Sequence, residues 1–123
     1  MSELGKIRSF KDLNIRQKSK EIAKIVYRLT ENKHFQKDWW LRDQLRRSVM
    51  SISSNIAEWS CRWGKQEFKY FLKIARWSCW ELISQLLIIS ELNIFENKEN
   101  LEKVLSELEI LIRMIGKLIW TIS

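Results

Sequence analysis

The side chains that could act as nucleophiles, bases or metal ligands are few and far apart in this chain of 123 residues. His34 is the only histidine, and Cys61 and Cys79 are the only cysteines. Neither cysteine lies in a paired spacing such as Cys-x-x-Cys, so one chain cannot assemble a Cys/His zinc site. A Ser/His or Cys/His arrangement would also lack a third residue to orient the base. The sequence therefore predicts no catalytic residues, no metal site and no enzyme activity.

Two further kinds of site need spacings that this chain does not have. Gly5, Gly64 and Gly116 are the only glycines, and they stand too far apart to form a phosphate-binding loop. Glutamates are frequent near the C-terminus, but no Glu-x-x-His motif of a di-iron bundle accompanies them. We therefore expect a binding or structural protein that needs no cofactor.

Positive charge is the chemical feature that points to a partner. The net charge is +7, and residues 1–78 carry 18 Lys and Arg against 8 Asp and Glu. A basic surface of this kind favours a polyanion, RNA or DNA before a membrane, although an ordinary solvated surface is the competing interpretation. The candidate nucleic-acid-binding residues are Arg42, Arg46, Arg47, Arg62, Lys65, Lys69, Lys73 and Arg76.

The elements that must position these cations are predicted to be helices. Proline is absent, and apolar residues recur at every third or fourth position, as in Leu45, Val49, Ile52 and Ile56. Serines between these positions leave room for a neighbouring helix. The length suits a single domain, residues 1–123, which we predict to be an antiparallel up-down-up-down four-helix bundle.

The predicted helices follow a flexible arm formed by residues 1–11. Asp12, Asp38 and Asn97 are the expected caps of the first, second and fourth helices. The segment ENKHFQK has no helical period, so it is predicted to be a connection. The helices are expected at Asp12 to Thr30, Trp39 to Cys61, Lys65 to Leu92 and Lys98 to Thr121.

Each predicted helix has an inner apolar row that should form the core. For the first helix the row is Ile15, Ile22, Ile25, Val26 and Leu29. For the third it is Phe68, Leu72, Ala75, Cys79, Leu82, Leu86 and Ile89. For the fourth it is Leu101, Leu105, Leu108, Leu111, Ile115, Leu118 and Ile122.

A second apolar face on the third predicted helix indicates self-association. Trp63, Tyr70, Ile74 and Trp77 line up about 200° away from the inner row, taking 100° per residue. A single four-helix subunit would leave this face in water, so the four residues are the candidate oligomer interface. An alternative use of exposed aromatic residues, in Trp39, Trp63 or Trp80, is stacking on the bases of a nucleic acid.

Asn55 and Glu58 are a polar pair beside the inner row of the second helix. We interpret them as structural residues that fix the register of a neighbouring helix or subunit. The competing hypothesis is that they line a pore or a binding groove.

One segment also carries a family resemblance. The run QLRRSVMSISSNIAE, followed by Arg62 and KQEFKYFLKIARWS, resembles the signature of the four-helix-bundle family named for a protein encoded in intervening sequences of bacterial 23S rRNA genes. The similarity extends from DLNIRQKSKEIAKIVYRLT to GKLIW. Ser53 stands where a proline is common, and Trp59, Cys61 and Trp77 stand where glycine is typical.

The resemblance implies a ring-shaped homo-oligomer, most often a pentamer, without catalytic activity. Together with the basic surface it predicts an RNA- or DNA-binding protein. A related family, the accessory variability proteins of diversity-generating retroelements, implies the alternative of an adaptor for a reverse transcriptase.

The sequence also predicts a cytoplasmic location. The N-terminal segment is charged and lacks the apolar centre of a signal peptide. The longest uninterrupted apolar run is Leu86 to Ile89, far too short to span a membrane. The C-terminal run ILIRMIGKLIWTIS has the pattern of an amphipathic surface helix, but we interpret it as the fourth bundle helix and expect no membrane partner.

Overall fold

The computed structural model describes residues 3–61 and 68–122, with the side chains of residues 11–61 and 69–121. Within these ranges the chain is all-α and contains no strand, which confirms the prediction that its elements are helices. The five helices are α1 (Glu3–Leu29), α2 (Lys33–Lys37), α3 (Trp39–Cys61), α4 (Phe68–Ser90) and α5 (Lys98–Ile122).

Two of the predicted helix starts are confirmed and one is wrong. α3 begins at Trp39 and α5 at Lys98, where the Asn97 side chain accepts a hydrogen bond from the Asn100 amide at 3.0 Å. α1 already begins at Glu3, so Asp12 lies within a helix and does not cap one. The Asp12 carboxylate instead accepts a hydrogen bond from the Ser60 hydroxyl at 2.7 Å. The predicted start of the third helix at Lys65 lies outside the described residues.

The segment predicted as an aperiodic connection contains the short helix α2. The Asn32 side chain caps it by accepting from the backbone amides of His34 and Phe35, at 3.0 and 3.3 Å. Phe35 is buried and its ring centroid lies 5.4 Å from that of Phe95, in the connection before α5. The Asn32 amide also donates to the Ile94 carbonyl at 3.0 Å. A single capped turn therefore joins the two connections at one end of the molecule.

α3 and α4 form the most extensive helix pair. Ser48 donates to the Gln85 side chain at 2.8 Å, and the hydroxyls of Ser51 and Ser78 share a hydrogen bond of 3.0 Å. Since the residue number rises on one helix as it falls on the other, the two helices are antiparallel. The small serine side chains let the two backbones approach closely. The hydrogen bonds between α3 and α4 also give these buried polar groups partners inside the contact.

The other long helices are arranged by the same kind of pairing. α1 runs antiparallel to α3, because Asp12 bonds Ser60 near one end while Thr30 bonds Arg46 towards the other. An ion pair between Lys18 and Glu107 joins α1 to α5. α4 also contacts α5, so α1, α3, α4 and α5 form a closed cycle in which each helix touches two neighbours.

The core lies inside this cycle and follows the predicted apolar rows. The inner rows predicted for the first and second helices are fully buried, as are the described members of the third row up to Ile89. The fourth row needs a correction, since Leu101 and Leu105 are only partly buried while Val104 is completely buried. Phe68 and Ile122 have side chains outside the described ranges. Among the helices described, none is long and apolar enough to cross a membrane.

Candidate nucleic-acid interface

A groove between α4 and α5 combines cations with exposed indole rings. Lys73, Arg76, Trp77 and Trp80 come from α4, and Arg113 comes from α5. Ile112 and Gly116 complete its lining, and its volume is about 640 Å³. The two helices place these residues together because residues three and four apart share one helical surface, and α5 supplies the opposite wall.

The cations of this groove are free to meet a ligand. Lys73 and Arg113 are exposed and Arg76 is half-buried. Over the described part of the chain, none of the three forms an ion pair. Arg76 extends across the groove to α5, where a Cβ added at Gly116 would lie 3.8 Å from its Nη1 atom. A groove with three uncompensated positive charges attracts anions.

Arg113 is a groove residue that the sequence interpretation missed. It lies in the C-terminal part of the chain, where acidic residues outnumber basic ones, so charge counting gave it no weight. The signal in the sequence is that Arg113 lies next to Ile112, outside the inner apolar row of the fourth predicted helix. Only the packing of α5 against α4 brings it beside Lys73 and Arg76.

Arg46 is placed elsewhere and is already engaged within the chain. Its Nε atom donates to the Thr30 hydroxyl at 2.9 Å, and its Nη2 atom donates to the Tyr27 carbonyl at 3.4 Å. The guanidinium carbon also lies 4.4 Å from the centre of the Tyr27 ring, a cation–π contact. Arg46 thus links α3 to the C-terminal end of α1.

Arg42 and Arg47 flank Arg46 on α3. The Arg42 Nε atom lies 3.5 Å from an Asp43 carboxylate oxygen, an ion pair that is long for a hydrogen bond. Arg47 is exposed and lines a shallow depression with Tyr27, Arg46, Asp43 and Met50. The negative charge of Asp43 makes this depression a weaker anion site than the α4–α5 groove.

The structure therefore places the predicted basic residues at separate surfaces. Arg46 and Arg47 line the depression between α1 and α3, and Lys73 and Arg76 line the α4–α5 groove. Arg42 lies on α3 beside Asp43 and lines neither of them. Lys69 lies one turn before Lys73 on α4 and is half-buried, without lining the groove. Arg62 and Lys65 lie outside the described residues.

The candidate oligomer interface is outward-facing on α4. Tyr70 is 61 % exposed, Trp77 is 73 % exposed, and Ile74 between them is half-buried. Tyr70 also packs edge-on against Phe71, with ring centroids 5.7 Å apart. The fourth predicted member, Trp63, lies outside the described residues. Trp77 borders both this face and the α4–α5 groove.

Asn55 acts within α3. Its amide donates to the Ser51 carbonyl at 2.8 Å and to the Ser51 hydroxyl at 3.3 Å, and that hydroxyl in turn bonds Ser78 of α4. Asn55 is thus linked to the neighbouring helix through Ser51. Glu58 is exposed on the same helix.

The cysteines differ in environment. Cys61 is exposed at the end of α3, while Cys79 is buried on the inner row of α4. Burial raises the pKa of the Cys79 thiol to about 12, because the low-dielectric core penalises the thiolate. Across the described ranges no three His, Cys, Asp or Glu side chains come together as a metal-binding group.

A model of one protein family matches most of the chain. Its description is 23S rRNA-intervening sequence protein, and the match covers residues 11–117. Both grooves and the α4 face lie within this range. No curated protein matches the chain.

Proposed function

We propose, since this chain belongs to the family of the 23S rRNA-intervening sequence proteins, that it is a non-catalytic, oligomeric protein that binds RNA through the α4–α5 groove. One observation carries this proposal. Lys73, Arg76 and Arg113 meet in a single groove and have no ion pair with the rest of the described chain. Phosphates are the ligands that such cations bind by charge-assisted hydrogen bonds.

The subunit proposed here is an antiparallel up-down-up-down four-helix bundle of α1, α3, α4 and α5. The closed cycle of helix contacts supports this arrangement. The bundle would assemble into a ring-shaped homo-oligomer, a pentamer by resemblance, through the exposed α4 face at Tyr70, Ile74 and Trp77. Three cations on one subunit bind phosphate only weakly. A ring repeats the groove in every subunit, and avidity then gives useful affinity.

The test is an RNA titration of the intact protein at several salt concentrations. The variant carries Lys73→Gln, Arg76→Gln and Arg113→Gln together. Each phosphate contact contributes about 0.7 to the salt slope on a single strand, so removing three should reduce the slope by roughly 2 and weaken binding. A matched control replaces Lys24, Lys33 and Lys37, which are exposed on α1 and α2, by Gln.

The control removes the same net charge from other surfaces, so it separates a local site from a general electrostatic effect. If both triple variants lose affinity equally, the groove has no special role. If neither changes affinity or slope while both remain folded, RNA binding through the groove is wrong. The adaptor role beside a reverse transcriptase stays a prediction from the sequence.

A further inference from the structure

We infer that the α4–α5 groove accepts unpaired nucleotides, with the Trp80 ring stacking on a base while the neighbouring cations hold the backbone. The inference rests on the proposed RNA-binding function and specifies the ligand of the same site as single-stranded. Trp80 is 54 % exposed and lies in the groove lining beside the cations. Exposed rings next to cations are the usual equipment of single-strand binding sites.

The positions on α4 place charge and ring side by side. Arg76 precedes Trp80 by four residues, so the guanidinium and the indole occupy neighbouring points on one helical surface. Lys73 lies one turn before Arg76, and Arg113 stands on the opposite wall, next to Ile112. A strand whose phosphates follow these cations can turn one base onto the Trp80 ring.

A duplex fits this groove less well than a single strand. In a duplex the faces of the bases are covered by their neighbours, so an indole ring finds no free surface without unstacking them. Unpaired loops, bulges and ends offer such faces. The exposed ring is therefore informative about the ligand in a way that the charge alone is not.

A second copy of this chain is the competing occupant of the groove. Covering Lys73, Arg76 and Arg113 with an apolar protein face would remove three cations from water without partners, which is costly. The cations and the aromatic ring together match a polyanion with stacking faces. Tyr70 and Ile74 of the candidate oligomer interface do not line this groove, whereas Trp77 borders both surfaces.

The experiment compares intact protein carrying Trp80→Leu with Trp40→Leu as the matched control. Trp40 is 58 % exposed on α3 and does not line the groove. The probes are an unstructured RNA, its duplex, and an abasic strand with the same number of phosphates. Removing a stacking aromatic residue lowers binding affinity by about five- to 150-fold. We expect this decrease for the unstructured RNA and not for the duplex or the abasic strand.

Trp80→Phe keeps a ring and should restore most of the affinity, which also covers the case in which Trp80→Leu fails to fold. If Trp80→Leu and Trp40→Leu bind the unstructured RNA as tightly as the parent protein, the stacking inference is wrong. Loss of binding in the triple Gln variant would then still support the proposed function. A change of subunit number on Trp80→Leu would identify the groove as a contact between copies and overturn the inference.

Discussion

At the scale of single residues, the use of a cation depends on what its neighbouring helix offers. Arg46 meets the C-terminal end of α1, where the Thr30 hydroxyl and the Tyr27 carbonyl are acceptors. Arg76 meets α5 at Gly116, which has no side chain to accept a hydrogen bond. The first arginine therefore stabilises the fold, while the second keeps its donors for a ligand.

Arg46→Ala should destabilise the protein without weakening RNA binding. The variant loses two hydrogen bonds and a cation–π contact at a half-buried site, and we expect a cost of about 1–2 kcal/mol in the free energy of unfolding. Urea titration of the helical signal measures this cost. Arg47→Ala, an exposed neighbour with the same charge, should change stability by less than about 0.5 kcal/mol. A larger loss of RNA affinity in Arg46→Ala than in Arg76→Ala would contradict this division of roles.

The buried thiol of Cys79 makes stability depend on pH in the alkaline range. Its pKa rises from the ordinary 9.0 in the unfolded chain to about 12 in the fold. Above pH 9 the unfolded chain loses this proton while the folded chain keeps it, so the thiol's contribution is complete below pH 9 and is lost towards pH 12. At pH 10.5 the linkage relation gives a loss of about 2 kcal/mol.

Urea titrations at pH 8 and pH 10.5 test this on the parent protein and on Cys79→Ala. Lys18 also titrates in this range, because its bond with Glu107 raises its pKa above 10.5. Its contribution is the same in both proteins, so the informative quantity is the difference between them. Equal pH dependence in the two proteins would show that Cys79 is not the cause.

At the scale of the elements, Asn32 holds together the two connections that precede α3 and α5. Its side-chain oxygen caps α2 and its amide group binds the Ile94 carbonyl, so one residue ties two connections together. Asn32→Ala should cost about 2 kcal/mol, more than the typical value of about 1 kcal/mol for a lone cap such as Asn97→Ala. Asn32→Asp keeps the cap but loses the donor to Ile94, so its cost in the free energy of unfolding should be smaller than that of Asn32→Ala. Chemical unfolding of the three variants measures the order, and an Asn32→Ala cost no larger than that of Asn97→Ala would refute the second role.

The regular helices were predictable because their inner rows repeat over many turns. Leu45, Val49, Ile52 and Ile56 are buried as the spacing required. The short helix α2 was missed because five residues cannot show a period, and its stability comes from the Asn32 cap and the distant Phe95 ring. The start of α1 was misplaced because Asp12 resembles a cap when only the sequence is known. Its true partner, Ser60, is 48 residues away.

At the scale of the whole molecule, the basic character was predictable but its distribution was not. Lys73 and Arg76 share one face of α4, and this follows from their spacing. Whether Arg46 lies beside Lys73 and Arg76 depends on which helices are neighbours in the fold. The spacing of apolar residues along one helix does not predict which helices pack together. Arg113 entered the groove for the same reason, through the contact between α4 and α5.

The exposed apolar face of α4 leads to the prediction about assembly. Ile74→Glu with Trp77→Glu should split the oligomer into single subunits, because the contact would bury two carboxylates and remove their hydration. Light scattering after size-exclusion chromatography measures the subunit number, and circular dichroism should show that helicity is retained. Trp77 is 73 % exposed and Ile74 is only half-buried, so the subunit itself tolerates polar side chains there. If the parent protein is a monomer at micromolar concentration, the prediction of a ring is wrong. Each subunit would then bind RNA separately through its α4–α5 groove, with the weak affinity that three cations provide.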